Sequence, residues 1–230
     1  MKSNQKQLQA RGWIEEDDLV PFQNYSLEEL LRLLHAEKPQ ERSVAARLLP
    51  LTEGTTAKLL EAAAKEKKLY CRLEMMRKLE TGTPETARQM LPYLSEIGNN
   101  QHQLPLEKPS AKKSFPLPRD LIARSLGNMS PEILPTLFEQ FSSLNSAQLS
   151  ELLDAIGLLI FYHPNEASDA YFSQLQTLWY EAADNSLLQW KLVICFSAFP
   201  QSKTLLEKII QTNPALAAEA QRSLSLRRHL

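Results

Sequence analysis

Arginines stand five positions apart in four separate stretches: Arg42 and Arg47, Arg72 and Arg77, Arg119 and Arg124, Arg222 and Arg227. A guanidinium stays charged and grips carboxylates or phosphates through paired N–H bonds. A row of them would bind an acidic peptide segment or a nucleic-acid backbone. Five residues turn a helix by about 500°, which leaves the two arginines of a pair about 140° apart. At most one of each pair can face a common groove. Arg47, Arg77, Arg124 and Arg222 are the candidates for that face. The competing reading makes them solvated residues with salt bridges to neighbours such as Glu74.

A second candidate lies in the stretch 98–118, where Pro105, Pro109, Pro116 and Pro118 oppose helix and favour extended chain. Loops of this length inside a compact domain are usually functional or disordered. Lys108, Lys112 and Lys113 beside Phe115 suit a flap over a groove, bringing charge and one aromatic contact; a disordered insertion is the alternative. The stretch runs directly into Arg119 and so brings the flap next to the Arg119/Arg124 pair.

Other chemistry is missing. Lys203-Thr204 and Lys113-Ser114 lack the glycines of a phosphate-binding loop, and no Gly-x-Gly-x-x-Gly, Gly-x-Ser-x-Gly or His-Glu-x-x-His occurs. His35, His102, His163 and His229 are scattered and without nearby ligands, so surface or capping roles are expected, with no metal and no cofactor. A formal net charge of −1 gives no global attraction to polyanions, so any electrostatic binding must be local.

The elements that position these residues announce themselves through caps and period. Thr83-Pro84, Ser130-Pro131 and Asn213-Pro214 each put a capping oxygen before a proline suited to the first helical position. Ser26 with Glu29 forms a capping box, and weaker starts fall at Thr55, Ser146, Asn165, Ser186 and Ser202. Apolar residues then recur at three and four positions, as in Leu27, Leu30, Leu31 and Leu34. Twelve helices in six pairs follow. The first members lie near 26–36, 55–66, 84–97, 131–142, 166–183 and 202–212. The second members lie near 41–51, 69–80, 118–129, 147–162, 186–199 and 214–227. Only six glycines in 230 residues agree with an all-α chain.

The second helices carry a resemblance. Arg42, Ala45, Ala46 and Leu49 share one spacing with Arg72, Met75, Met76 and Leu79, and with Arg119, Ile122, Ala123, Leu126 and Gly127. This resembles the second helix of HEAT repeats. The likeness covers roughly 26–227 and is degenerate: Gln189 stands where arginine is expected, the 152–162 helix has no clear register, and the last pair has alanine at the first position. The resemblance implies a right-handed α-solenoid of about six antiparallel pairs whose second helices line the concave side. Residues 26–230 would form one domain, with 1–25 an extension or cap anchored by Trp13 and Ile14. In such repeats the first arginine usually pairs with carboxylates or carbonyls of the neighbouring repeat.

The function this implies is a non-catalytic scaffold that captures a protein or acidic-peptide segment. Arg47, Arg77, Arg119, Arg124, Lys112, Lys113 and Phe115 would form its binding face. Nucleic-acid binding is the runner-up. One enzymatic reading comes from a group of bacterial HEAT-like glycosylases that remove alkylated purines with an aspartate and aromatic residues in the groove. Asp154 and Trp190 are the residues that could serve so, although no specific motif of that group matches here. Two cysteines, Cys71 and Cys195, on well-separated pairs predict free buried thiols. With no signal-like apolar segment at the start and no run of about 20 apolar residues, a cytoplasmic protein without membrane contact is expected.

Overall fold

The computed structural model describes residues 4–227, and all regular structure among them is helical. The helices are α1 (Gln5–Gln9), α2 (Leu27–Leu33), α3 (Pro39–Leu48), α4 (Glu53–Lys65), α5 (Leu69–Glu80), α6 (Pro84–Met90) and α7 (Leu121–Leu126). They continue with α8 (Leu134–Glu139), α9 (Ser146–Tyr162), α10 (Asp169–Glu181), α11 (Ser186–Cys195), α12 (Lys203–Thr212) and α13 (Ala217–Arg227). The twelve expected helices are all present, and α1 is an additional one.

Capping chemistry explains where the boundaries moved. The Ser26–Glu29 box forms as expected, each partner bonding the other's backbone N–H. At α4 the cap is Thr52 rather than Thr55, because the two hydroxyls cap reciprocally and Thr55 also donates to the Pro50 carbonyl at 2.6 Å. Asn145 and Asn185 cap α9 and α11 one residue before the expected serines, and Ser168 caps α10. The expected helix over 84–97 stops at Met90 and continues as a 3-10 turn over Leu91–Tyr93. Pro92 has no N–H to continue the ladder and crowds the preceding turn.

The chain separates into two compact units, residues 4–93 and 94–227 as described, so the boundary falls inside the 26–230 stretch expected as one domain. In the first unit α3 and α5 pack on each other, with α2 on α3 and α4 on both α5 and α6. The N-terminal segment belongs to this unit. Ile14 and Leu19 join Val44 in its core, and Trp13 packs edge-on against Tyr70 at 5.1 Å. Gly12 has φ +93°, and a Cβ there would meet the Cys71 sulfur at 2.3 Å, so both conformation and space require glycine.

In the second unit α7, α9, α11 and α13 lie side by side in chain order, while α8, α10 and α12 pack on α9, α11 and α13 respectively. Every residue of α9 from Leu149 to Ile160 is buried, as expected of a helix that is apolar nearly all round. Residues 98–118 form no helix and make an irregular strap within this unit. Cys71 and Cys195 are free and buried, as anticipated. No described helix is long and apolar enough to cross a membrane.

Candidate functional site

The arginines expected to line a groove are engaged in holding the chain together. Arg42 donates to both oxygens of Glu66 at 2.7 and 3.1 Å and to the carbonyls of Ala36 and Glu37. Arg72 donates to the Glu66 carbonyl. Arg47 pairs with Glu74 at 2.8 Å and with Glu16 at 3.0 Å, and Arg77 pairs with Glu74 at 2.9 Å. Arg124 puts Nε and Nη2 on one carbonyl, that of Pro118, at 3.0 and 2.7 Å. Arg47 and Arg124 are therefore fasteners, while Arg77 is exposed and pairs with Glu74 within its own helix, in line with the competing reading set out above. Glu74, named there as a partner, takes both Arg47 and Arg77.

Phe115 also departs from its expected role. It is 4% exposed, lies 5.5 Å from Phe161, and fills the space that a side chain at residue 157 would need. The ring is a core element and is not displayed to solvent. Lys112 and Lys113 are exposed, as a flap requires, and so is Arg119.

Three neighbouring sets of buried polar groups lie on the four side-by-side helices of the second unit. Asp120 caps α7, accepting from Ala123 N–H at 2.8 Å, Ser95 N–H at 3.2 Å and the Gln101 side chain at 2.8 Å. Glu151 and Asp154 sit one turn apart on α9. Lys191 of α11, 1% exposed, donates to Asp154 and lies 3.6 Å from Glu151. Its neighbour Trp190 donates its indole N–H to Glu219 of α13 at 3.1 Å, and Glu219 also pairs with Arg222 at 3.1 Å. Arg222, 9% exposed, reaches the strap and donates to the carbonyls of Ser110, Lys112 and Ser114 at 2.7, 3.3 and 3.0 Å. His102 of the strap packs edge-on against Trp190 at 5.0 Å.

Burial sets the electrostatics of this network. It pushes the Glu151 carboxyl up to about 7, against the attraction of Lys191 and with further upward pressure from Asp154 and Asp120. The Glu151 Oε2 atom has no partner within the protein, which suits a protonated carboxyl. Burial likewise raises Asp154, opposed by Lys191, and raises Asp120, opposed by its N–H donors. His102 is pushed down to about 4, by burial first and then by the positive charges of Lys191 and Arg119.

Two cavities adjoin this network. A small one of about 50 Å³ lies among His102, Arg119, Asp154, Trp190, Lys191 and Arg222. That volume suits one or two water molecules, against roughly 300 Å³ or more for ordinary ligand pockets. Asp154 and Trp190, the pair considered for base excision, thus share a cavity. Asp154 is bound to Lys191, the indole N–H is taken by Glu219, and the space is smaller than a nucleobase needs. The second is an open groove of about 640 Å³ between the strap and α13, lined by Lys112, Lys113, Ala218, Gln221, Arg222 and Ser225. In the first unit a cleft of about 390 Å³ is lined by His35, Arg42, Lys65, Lys67 and Lys68, but its buried pair, Arg42 and Glu66, is mutually satisfied.

Sequence reasoning missed Lys191, Glu151 and Asp120. For Glu151 and Lys191 the signal was an ionisable side chain inside an otherwise apolar run, 149–160 and 190–196, and for Asp120 it was a capping residue type directly before Leu121. Arg222 was found through the arginine spacing, but its strap contacts were not. Among the described residues no group of His, Cys, Asp and Glu could hold a metal ion. No protein-family model, curated protein or solved structure matches the chain.

Proposed function

We propose that this chain is a non-catalytic interaction scaffold whose helix pairs are degenerate HEAT-like repeats stacked in solenoid fashion within each unit. Its working surface is the groove between α13 and the strap, and its partner is an acidic protein segment met in the cytoplasm. The observation that carries the reading is Arg222. By bonding three strap carbonyls from a buried position, it holds the backbone that bears Lys112 and Lys113 along the edge of an open 640 Å³ groove. Two cations fixed at a rim cost less ordering on binding than two on a free loop. The small groove-side residues of α13, Ala218 and Ser225, leave room for a partner backbone to approach.

Fluorescence anisotropy with a labelled Glu-rich helical peptide tests this. Binding should be seen at low salt and weaken at least about tenfold in the Lys112→Glu/Lys113→Glu double variant, with little change in thermal stability. No binding, or binding indifferent to the double reversal, overturns the reading. Tighter binding of a single-stranded oligonucleotide, with a steep loss as salt rises, would replace it with nucleic-acid recognition.

A further inference from the structure

The strap is held in the manner of a bound peptide. Arg222 meets the carbonyls of Ser110, Lys112 and Ser114, which converge on one guanidinium because the chain curls round it, with a bend at residues 113–114. The side chains of Ser110 and Lys112 are exposed, so this grip does not depend on what they are. The clamp uses only carbonyl acceptors, so prolines, which lack the N–H donor, cost it nothing. Directly after the last clamped carbonyl, Phe115 enters a niche floored by Gly157, where an added Cβ would lie 2.4 Å from the ring. Glu219 holds the guanidinium in place, and Trp190 in turn bonds Glu219.

We propose that this clamp and niche form a peptide-binding site that the strap fills as an internal occupant. Its external ligand is a proline-containing segment of another protein that makes the same turn, with a phenylalanine next to the clamped carbonyls. Main-chain capture supplies affinity, and the glycine-floored niche supplies selectivity for the ring, since backbone bonds and side-chain pockets divide these tasks in peptide recognition. The strap competes at the millimolar effective concentration typical of a short tether, so the external segment must bind well or be presented locally. The clamp shares Arg222 and Lys112 with the acidic-segment groove, so the two sites are antagonistic. Displacing the strap carries Lys112 and Lys113 away from α13.

The test uses the full chain and a labelled synthetic peptide corresponding to residues 108–117. In the Phe115→Ala chain the internal occupant lacks its ring, so the peptide should bind and restore part of the lost melting temperature. The same peptide carrying Phe115→Ala should bind at least about tenfold more weakly. In the unaltered chain, excess peptide should speed hydrogen exchange of the strap amides and release the Glu-rich peptide from the groove. Equal binding of the two peptides overturns the proposal. So does an absence of binding together with unchanged strap exchange. If the Phe115→Ala chain does not fold, exchange in the unaltered chain decides alone. Failure of the Glu-rich peptide to bind at all bears only on the groove.

Discussion

The two units place their charges differently. In residues 4–93 the paired charges lie at the edges of the helix layer. Arg42 meets Glu66, and Arg47 and Arg77 share Glu74, with arginine side chains 16%, 26% and 61% exposed. In residues 94–227 a lysine and two carboxylates lie in the middle of the layer, with Lys191 and Glu151 each 1% exposed. Arg47–Glu74 joins α3 to α5, whereas Arg77–Glu74 stays within α5, and each arginine keeps some contact with water. The central cluster bears a desolvation cost that is offset only while each charge keeps its partner. The first arrangement fastens a layer; the second couples α9 and α11 and runs alongside the Trp190–Glu219–Arg222 chain that reaches the strap.

Breaking the centre should do the most. Lys191→Met leaves Asp154 and Glu151 without their cation, and the second unit should lose about 3–5 kcal/mol, read by chemical denaturation with tryptophan fluorescence. A loss below about 1 kcal/mol would mean that the carboxyls are already neutral and the contrast between the units is smaller than drawn.

The next effect is a pH slope. The Glu151 carboxyl titrates near 7 when folded, against an ordinary value of 4.5. Between these values the folded chain holds a proton that the unfolded chain has lost, so this group stabilises at low pH and its contribution falls as pH rises through 7. The slope is at most about 1.4 kcal/mol per pH unit. Glu151→Gln should flatten the slope between pH 4.5 and 7 and leave the chain more stable than its parent at pH 8. An unchanged slope would place the proton elsewhere.

The smallest effect belongs to the first unit. Arg77→Ala removes an exposed partner of Glu74 while Arg47 remains, so stability should change by less than about 0.5 kcal/mol. A larger loss in a melting curve would show that the edge pairs are coupled more tightly than their exposure implies.

Helix identity was legible because its signals are local. Ser26 with Glu29, Pro131 after Ser130 and the spacing of leucines act within a turn or two. Even the shifts at Thr52 and Asn145 arose from another capping residue a few positions away. The site was less legible. The arginine spacing drew attention to Arg47, Arg77 and Arg124, yet the same spacing serves a fastener as well as a binder, and only the positions of Glu74, Glu16 and Pro118 separated the two. The exposure of Lys112 and Lys113 was legible because a charge on a proline-rich loop has few ways to be buried. Phe115 was misjudged because nothing near it in the chain announces the niche over Gly157.

By itself the sequence determined an all-helical chain of paired helices, two unpaired thiols and a long non-helical stretch, each a consequence of interactions a few residues apart or of composition. Tertiary structure alone decided which distant polar groups meet. Lys191 and Asp154 are 37 residues apart, and Arg222 and Ser110 are 112 apart. A buried charge is stable only beside a partner that compensates its lost hydration, and that partner is chosen by how the helices pack.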